Sequence, residues 1–201
     1  MSAIRAVIWD FAGVVLHAVK GTFNTLLAER LDVPISQIEK LMASPENDLW
    51  DINEIDDERY YTFILDKLKQ PREKIAIIQR FVVKDFYIDQ RMLEYIRGLR
   101  KEYISVLLTN FPAHIHEFIK TDWIIDGAFD HFIASCDVKL IKPDPAMYQL
   151  TLDRIACTAQ ECIFIDDRAI NVRAAEALGM VGILFKDQEQ TIQDLQNLLK
   201  A

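Results

Sequence analysis

No run of residues approaches the roughly 18 consecutive apolar positions that a membrane-spanning helix needs, so the sequence offers no span. Basic residues are scarce too: 23 Lys and Arg stand against 31 Asp and Glu, a formal net charge of −8, with no basic run or stripe. Such a chain lacks the cationic surface that nucleic acid or an anionic membrane would require. Cysteine is sparse. Cys136, Cys157 and Cys162 are odd in number and form no Cys-x-x-Cys pair, which points to a reducing compartment and ordinary packing, not a disulfide frame or zinc site. Glycine and proline number only 6 each, too few for a disordered or linker-rich chain. The first residues lead straight into a strand with no signal-peptide pattern, and a soluble cytoplasmic protein, monomeric or weakly dimeric, is expected.

What is present is a large apolar fraction, 51 % of 201 residues, enough for one large domain or one domain carrying an insert. Residues 4–9 are almost wholly apolar without helical spacing, as in a strand buried on both faces of a parallel sheet. The run ends in Asp10, and Gly13 follows where the chain can turn sharply. Past Val15 the spacing becomes helical. Phe23, Leu26, Leu27 and Leu31 share a face, Ser36 to Glu39 reads as a capping box, and Ile38, Leu41 and Met42 form a stripe. Tyr60, Tyr61, Ile64, Leu65 and Leu68 mark another helix, and Pro71 opens one through Ile75, Ile78 and Val82. Residues 17–88 therefore read as a small helical bundle, with 50–57 joining its halves.

From Asp89 onward strand and helix alternate, which implies a parallel sheet with right-handed crossovers. Buried strands end in Thr109-Asn110 and in Asp166-Asp167, a short strand is expected over 131–135, and Lys142-Pro143-Asp144 precedes a helix capped by Asp144. Ile170, Ala174, Ala177 and Leu178 mark a helix that Gly179 stops; 181–185 form the last strand, and Ile192, Leu195 and Leu199 the closing helix. Parallel strands present their carboxyl ends on one edge, so these groups can meet Asp10 in one crevice. Three carboxylates gathered there would repel and partly protonate unless a cation joined them. Mg²⁺ suits such oxygen ligands plus a substrate phosphate, with a Lys and a Thr hydroxyl as complement for the phosphate oxygens. Taken singly, each cluster has a blander reading as a turn, a cap or a surface charge.

The set Asp10-Phe11-Ala12-Gly13-Val14-Val15, Leu107-Leu108-Thr109-Asn110, Lys142-Pro143-Asp144-Pro145 with Tyr148, and Ile165-Asp166-Asp167 with Asn171 resembles the haloacid dehalogenase-like (HAD) hydrolase superfamily. All four family motifs occur in order, residues 17–88 match a cap inserted after the first strand, and Asn53-Glu54-Ile55-Asp56 looks like the cap's characteristic turn. The resemblance implies an α/β, Rossmann-like parallel-sheet core over 1–16 and 89–201 with a helical cap over 17–88. It also implies Asp10 as nucleophile, forming an aspartyl-phosphate that water hydrolyses. Thr109 would bind phosphate with Asn110 beside it, and Lys142 would neutralise charge on Asp10 and the phosphoryl group. Mg²⁺ would be held by Asp10, the carbonyl of Ala12 and Asp167. Asp166 would orient metal-bound water, and Asn171 would support Lys142 or that arrangement.

One position departs from the pattern. Most phosphatases of the family carry a second Asp two residues after the nucleophile, to protonate the leaving alkoxide and activate water; here it is Ala12. Three readings follow: a phosphatase of a small soluble metabolite such as a sugar phosphate with another proton donor or an easier leaving group, a catalytically impaired binding or regulatory protein, or a 2-haloacid dehalogenase-type hydrolase. The last is disfavoured by Asp166-Asp167, since halide displacement has no use for a metal. His17 is a candidate donor or substrate contact, or simply a loop residue packed on the cap; Arg168 touches substrate or caps a surface. Specificity is expected from Trp50-Asp51 and the loop 17–21.

Overall fold

A computed structural model describes residues 3–200; the side chains of 80–83, and with them the expected core position Val82, lie outside the described residues. The chain runs β1 (Ala6–Trp9), β2 (Leu16–Ala18), α1 (Phe23–Leu31), α2 (Ile35–Met42), α3 (Pro45–Asp51), α4 (Asp57–Lys67), α5 (Ile75–Lys84) and β3 (Phe86–Ile88). It continues through α6 (Gln90–Leu99), β4 (Ile104–Thr109), α7 (Ile115–Thr121), β5 (His131–Ala134), α8 (Ser135–Val138) and α9 (Pro145–Ile155). The last elements are β6 (Cys162–Asp166), α10 (Ala169–Ala177), β7 (Val181–Leu184) and α11 (Gln188–Leu199).

Five strands form one parallel sheet in the order β5-β4-β1-β6-β7. β1 is central because every residue in it is apolar and buried, so it can be covered on both faces. Alternate side chains feed two cores. Val7, Trp9, Leu107 and Ile165 meet α6, α7, α11 and the inserted helices on one face. Ile8, Leu108 and Phe164 meet α9 and α10 on the other. The register pairs Trp9 with both Leu107 and Ile165, so Asp10 and Asp166 leave the sheet level with each other, next to Thr109. The strand order reverses direction around β1, which puts the crevice between strand ends at this point.

The insert is helical, as its spacing predicts, with differences of detail. Residues 16–18 and 86–88, at the two ends of the expected insert, pair as an antiparallel ribbon, Leu16 opposite Ile88 and His17 opposite Tyr87. Three-residue strands so distant in sequence have no local signature. No capping box forms at Ser36: Pro34 holds the extended conformation before α2, so that helix begins at Ile35 and Ser36 falls inside its first turn. The capping box of the insert is instead Thr22 with Thr25, at the start of α1. Trp50 and Asp51 close α3, leaving 52–56 as the connection and Asp57 as the first residue of α4. On α10 the covered face is Asn171, Val172 and Ala175, while Ile170 is 48 % exposed. The three cysteines are free thiols, and no helix among the described residues is long and apolar enough to cross a membrane.

Candidate active site

The strand ends converge as the sequence implies. Lys142 is buried, and its Nζ lies 2.7 Å from Asp10 Oδ1, 2.8 Å from Asp166 Oδ2 and 2.9 Å from the Leu108 carbonyl oxygen. Each of the ammonium's three protons thus has an acceptor. Asn110 fixes the lysine's backbone from both ends of one amide, its Nδ2 donating to Lys142 O (2.9 Å) and its Oδ1 accepting from Lys142 N (2.8 Å). Asn110 lines the cavity, but these two bonds make it a support for Lys142 more than a free hand for substrate.

Asp10 Oδ1 also accepts from the Phe11 N–H at 2.7 Å, so both bonds fall on one oxygen. Burial pushes the Asp10 carboxyl up, Lys142 pulls it down, and the neighbouring Asp166 and Asp167 push it up again. Burial alone would lower the Lys142 ammonium, but Asp10 and Asp166 more than offset that and hold it charged. Asp166 is wholly buried and its oxygens are taken: it accepts from Lys142, from Arg168 N (2.8 Å) and from Asn171 Nδ2 (3.0 Å to each oxygen). Asp167 lies on the open side of the cluster, directly over Gly13. A Cβ at Gly13 would fall 2.3 Å from Asp167 Oδ2, and φ there is +90°. The glycine is therefore needed both for its left-handed turn and for this approach.

Two buried polar atoms in the site find no partner among the described residues, Thr109 Oγ1 and Asn171 Oδ1. An orphaned hydroxyl at a strand end beside a lysine is what a phosphate oxygen would satisfy. Beside this cluster lies a cavity of about 580 Å³ whose wall includes Asp10, Ala12, Lys142, Asp167 and Asn171 from the core and Asn47, Trp50 and Asp51 from the insert; Thr109 is buried and is not on that wall. Arg168, for which substrate contact and surface capping were both open, is on this wall. His17 also reaches it, but its Nε2 is 3.1 Å from the Val14 carbonyl oxygen and its ring packs between Tyr87 and Phe185. A second hollow, flanked by Thr25, Glu29 and Asp32, contains none of the strand-end groups.

A haloacid dehalogenase-like hydrolase family model matches residues 4–179. The chain belongs to that family. It is 28 % identical over 200 residues to the sesquiterpene phosphatase astK of Aspergillus oryzae, covering 98 % of each chain. It is 25 % identical over 226 residues to the pig (Sus scrofa) bifunctional epoxide hydrolase 2, where it spans 98 % of its own length but 39 % of the relative's. In fold it is similar to the HAD family enzyme BT-2542 of Bacteroides thetaiotaomicron, solved with magnesium and inorganic phosphate (TM-score 0.75, 18 % identity, 94 % and 99 % of the two chains covered).

The family's insert is clasped to its core here by contacts the sequence did not announce. Ser135 Oγ donates to Asp51 O (2.6 Å) and accepts from Phe111 N (2.9 Å). Asp57 accepts from Trp50 Nε1 (2.7 Å) and lies 3.2 Å from His114 Nδ1. Lys139 Nζ donates to the Ile52 and Asn53 carbonyls. Ser135 was discoverable in principle, since it stands at the carboxyl end of a short parallel strand just as Asp10, Thr109 and Asp166 stand at the ends of theirs.

Proposed function

We propose that this protein is a Mg²⁺-dependent hydrolase of small phosphomonoesters that works through an aspartyl-phosphate on Asp10. The observation that carries the reading is Lys142, buried on the wall of the cavity and held between Asp10 and Asp166, with the unpartnered Thr109 Oγ1 at the end of the neighbouring strand. Asp10 attacks phosphorus. Lys142 balances charge on the carboxylate and the arriving phosphoryl group, and Thr109 binds a phosphate oxygen. The acid cluster fits a hard cation: Asp10, Asp166 and Asp167 have ligand atoms within 4.8 Å of one another. Asp166 is saturated by Lys142, Asn171 and the Arg168 N–H, so Asp10 and Asp167, with the Ala12 carbonyl that the family resemblance implies, would hold the metal and Asp166 with Asn171 would brace it. When bound, Mg²⁺ supplies neutralisation of phosphoryl charge.

The cavity wall favours an alcohol less polar than a sugar. Leu16, Met42 and Phe111 contribute to it, and the fungal relative named above is a sesquiterpene phosphatase. Ala12 supports a second reading, a binding protein on an intact scaffold. One assay separates them: phosphate release from sugar, alkyl and aryl monophosphates, with Mg²⁺ and with chelator, for the native chain and Asp10→Asn. Metal-dependent turnover that Asp10→Asn abolishes is expected. No turnover on any ester, restored by Ala12→Asp, would establish the binding reading, and halide release without metal would overturn both.

A further inference from the structure

Ala12 leaves the reaction without the proton donor that its place in the sequence normally supplies, so for an alkyl ester, whose leaving oxygen is strongly basic, a proton has to come from another group on the cavity wall. Besides Asp10 and Asp167, the titratable groups on that wall include His17, Glu39, His114 and Asp51. His17 Nε2 is turned to the Val14 carbonyl, and His114 Nδ1 is engaged with Asp57. Glu39, on α2, is exposed to solvent, where a carboxyl keeps no proton at neutral pH without a neighbour to hold it. Asp51 differs from all three. It closes α3, lines the same cavity as Asp10 and Asp167 from the insert, and is largely covered.

Its placement is fixed from two directions. Tyr60 Oη donates to Asn47 Oδ1 at 2.6 Å, which turns the Asn47 amide so that Nδ2 donates to Asp51 Oδ2 at 3.1 Å. One carboxyl oxygen is thereby an acceptor, and the other is left to carry a proton. The main chain of Asp51 is tied through Ser135 Oγ to the Phe111 N–H, two residues beyond Thr109, so the acid is anchored to the same loop as the phosphate-binding hydroxyl.

Resting on the phosphatase reading, we infer that Asp51 is the general acid and base of this enzyme, taking the role that Ala12 cannot. In the first step Asp10 Oδ forms a bond to phosphorus as the ester P–O bond breaks. The proton of the Asp51 carboxyl passes to the departing oxygen, giving the free alcohol, aspartyl-phosphate and an Asp51 carboxylate. In the second, that carboxylate accepts a proton from the water that attacks phosphorus, which regenerates Asp10 and the Asp51 acid and releases phosphate. The environment suits the first step. Burial, with Asp48 on the same helix, raises the Asp51 carboxyl to about 7 against the opposing pull of Arg168 from the core. Tyr60 on α4 is held protonated by its own burial and by these acids, and the Lys139 ammonium on α8 is spent on the Ile52 and Asn53 carbonyls.

The test uses kcat/KM for n-butyl phosphate, whose alkoxide must be protonated, and 4-nitrophenyl phosphate, whose leaving oxygen need not be. Asp51→Asn is expected to lose roughly 100-fold on n-butyl phosphate and much less on 4-nitrophenyl phosphate. The wild-type rate on the alkyl ester should fall as pH rises past about 7, and that limb should vanish in the variant. Adding Ala12→Asp to Asp51→Asn should restore the alkyl ester. Equal losses on both esters, a change confined to KM, or an unaltered pH limb would overturn the assignment and leave Asp51 a substrate contact or a structural group. Turnover lost in Asp10→Asn but retained on n-butyl phosphate in Asp51→Asn would overturn the Asp51 role alone. A native chain without Mg²⁺-dependent turnover of either ester would overturn the phosphatase reading and this one together.

Discussion

Lys142 Nζ stands 2.7 Å from Asp10 Oδ1, and both side chains are buried. With Asp166 at 2.8 Å the lysine joins the first strand of the sheet to the fourth in sequence order of its parallel members, β6, through one ammonium. Charges removed from water in this way are tolerated only as a set, so the arrangement is a structural joint as well as part of the cavity wall.

Lys142→Met should therefore damage both properties. It leaves two buried carboxyls without their cation, and urea unfolding should show a loss of about 3–5 kcal/mol at neutral pH. Phosphate release should fall by roughly 10²–10³-fold, as when a single preorganised charge-stabilising group is removed.

Asn110→Ala removes two hydrogen bonds to the Lys142 main chain without touching its ammonium. The expected cost is about 1–3 kcal/mol in unfolding free energy, since a buried-side peptide group loses its partners. Steady-state kinetics should show kcat falling with KM little changed, because the lysine loses its position and the cavity keeps its wall.

Gly13→Ala tests the approach of Asp167. The new Cβ meets Asp167 Oδ2 at 2.3 Å and the residue must also hold φ +90°. Asp167 has to swing away, so the Mg²⁺ concentration for half-maximal activity should rise roughly 10- to 100-fold, as for other changes that misplace a ligand. A Mg²⁺ titration of phosphate release measures this directly.

Asp51→Asn should alter the dependence of stability on pH. The Asp51 carboxyl is raised to about 7 in the folded chain by burial first and Asp48 second, above its ordinary value of 3.8. A raised pKa means the folded state holds the proton more tightly. Its stabilising share is complete below the unfolded value and is lost as pH rises through the folded one. Replacing it with an uncharged isostere should stabilise the protein at pH 8 by on the order of 1–2 kcal/mol, allowing for its partly open face, and do little at pH 4. Thermal melts of the two proteins at both pH values are the check.

Much of this site is written locally. Asp10, Thr109 and Asp166 each follow a run of buried apolar residues, and strand periodicity with a terminal polar residue is readable without knowledge of the fold. Parallel pairing then brings the strand ends together, because all the strands of one parallel sheet point the same way. Lys142 lies in a loop, and its place was legible through the family motif more than through any periodicity. The structure lacks the capping box expected at Ser36 and shortens the connection expected over 50–57 for the opposite reason. Several residues there can cap or turn, and Pro34 and the packing of Trp50 against Tyr60 decided among them.

The sequence by itself determined the alternation of elements, the identity of the strand-end groups and the substitution at Ala12, since all of these are properties of short stretches of chain. Only the tertiary structure decided which oxygen of Asp10 the lysine occupies, that Asp166 is saturated while Asp167 stays open, that β2 pairs with β3, and that Asp51 and Arg168 face one cavity. These are relations between residues far apart along the chain. They are fixed by which buried surfaces close on one another, and no local pattern encodes that choice.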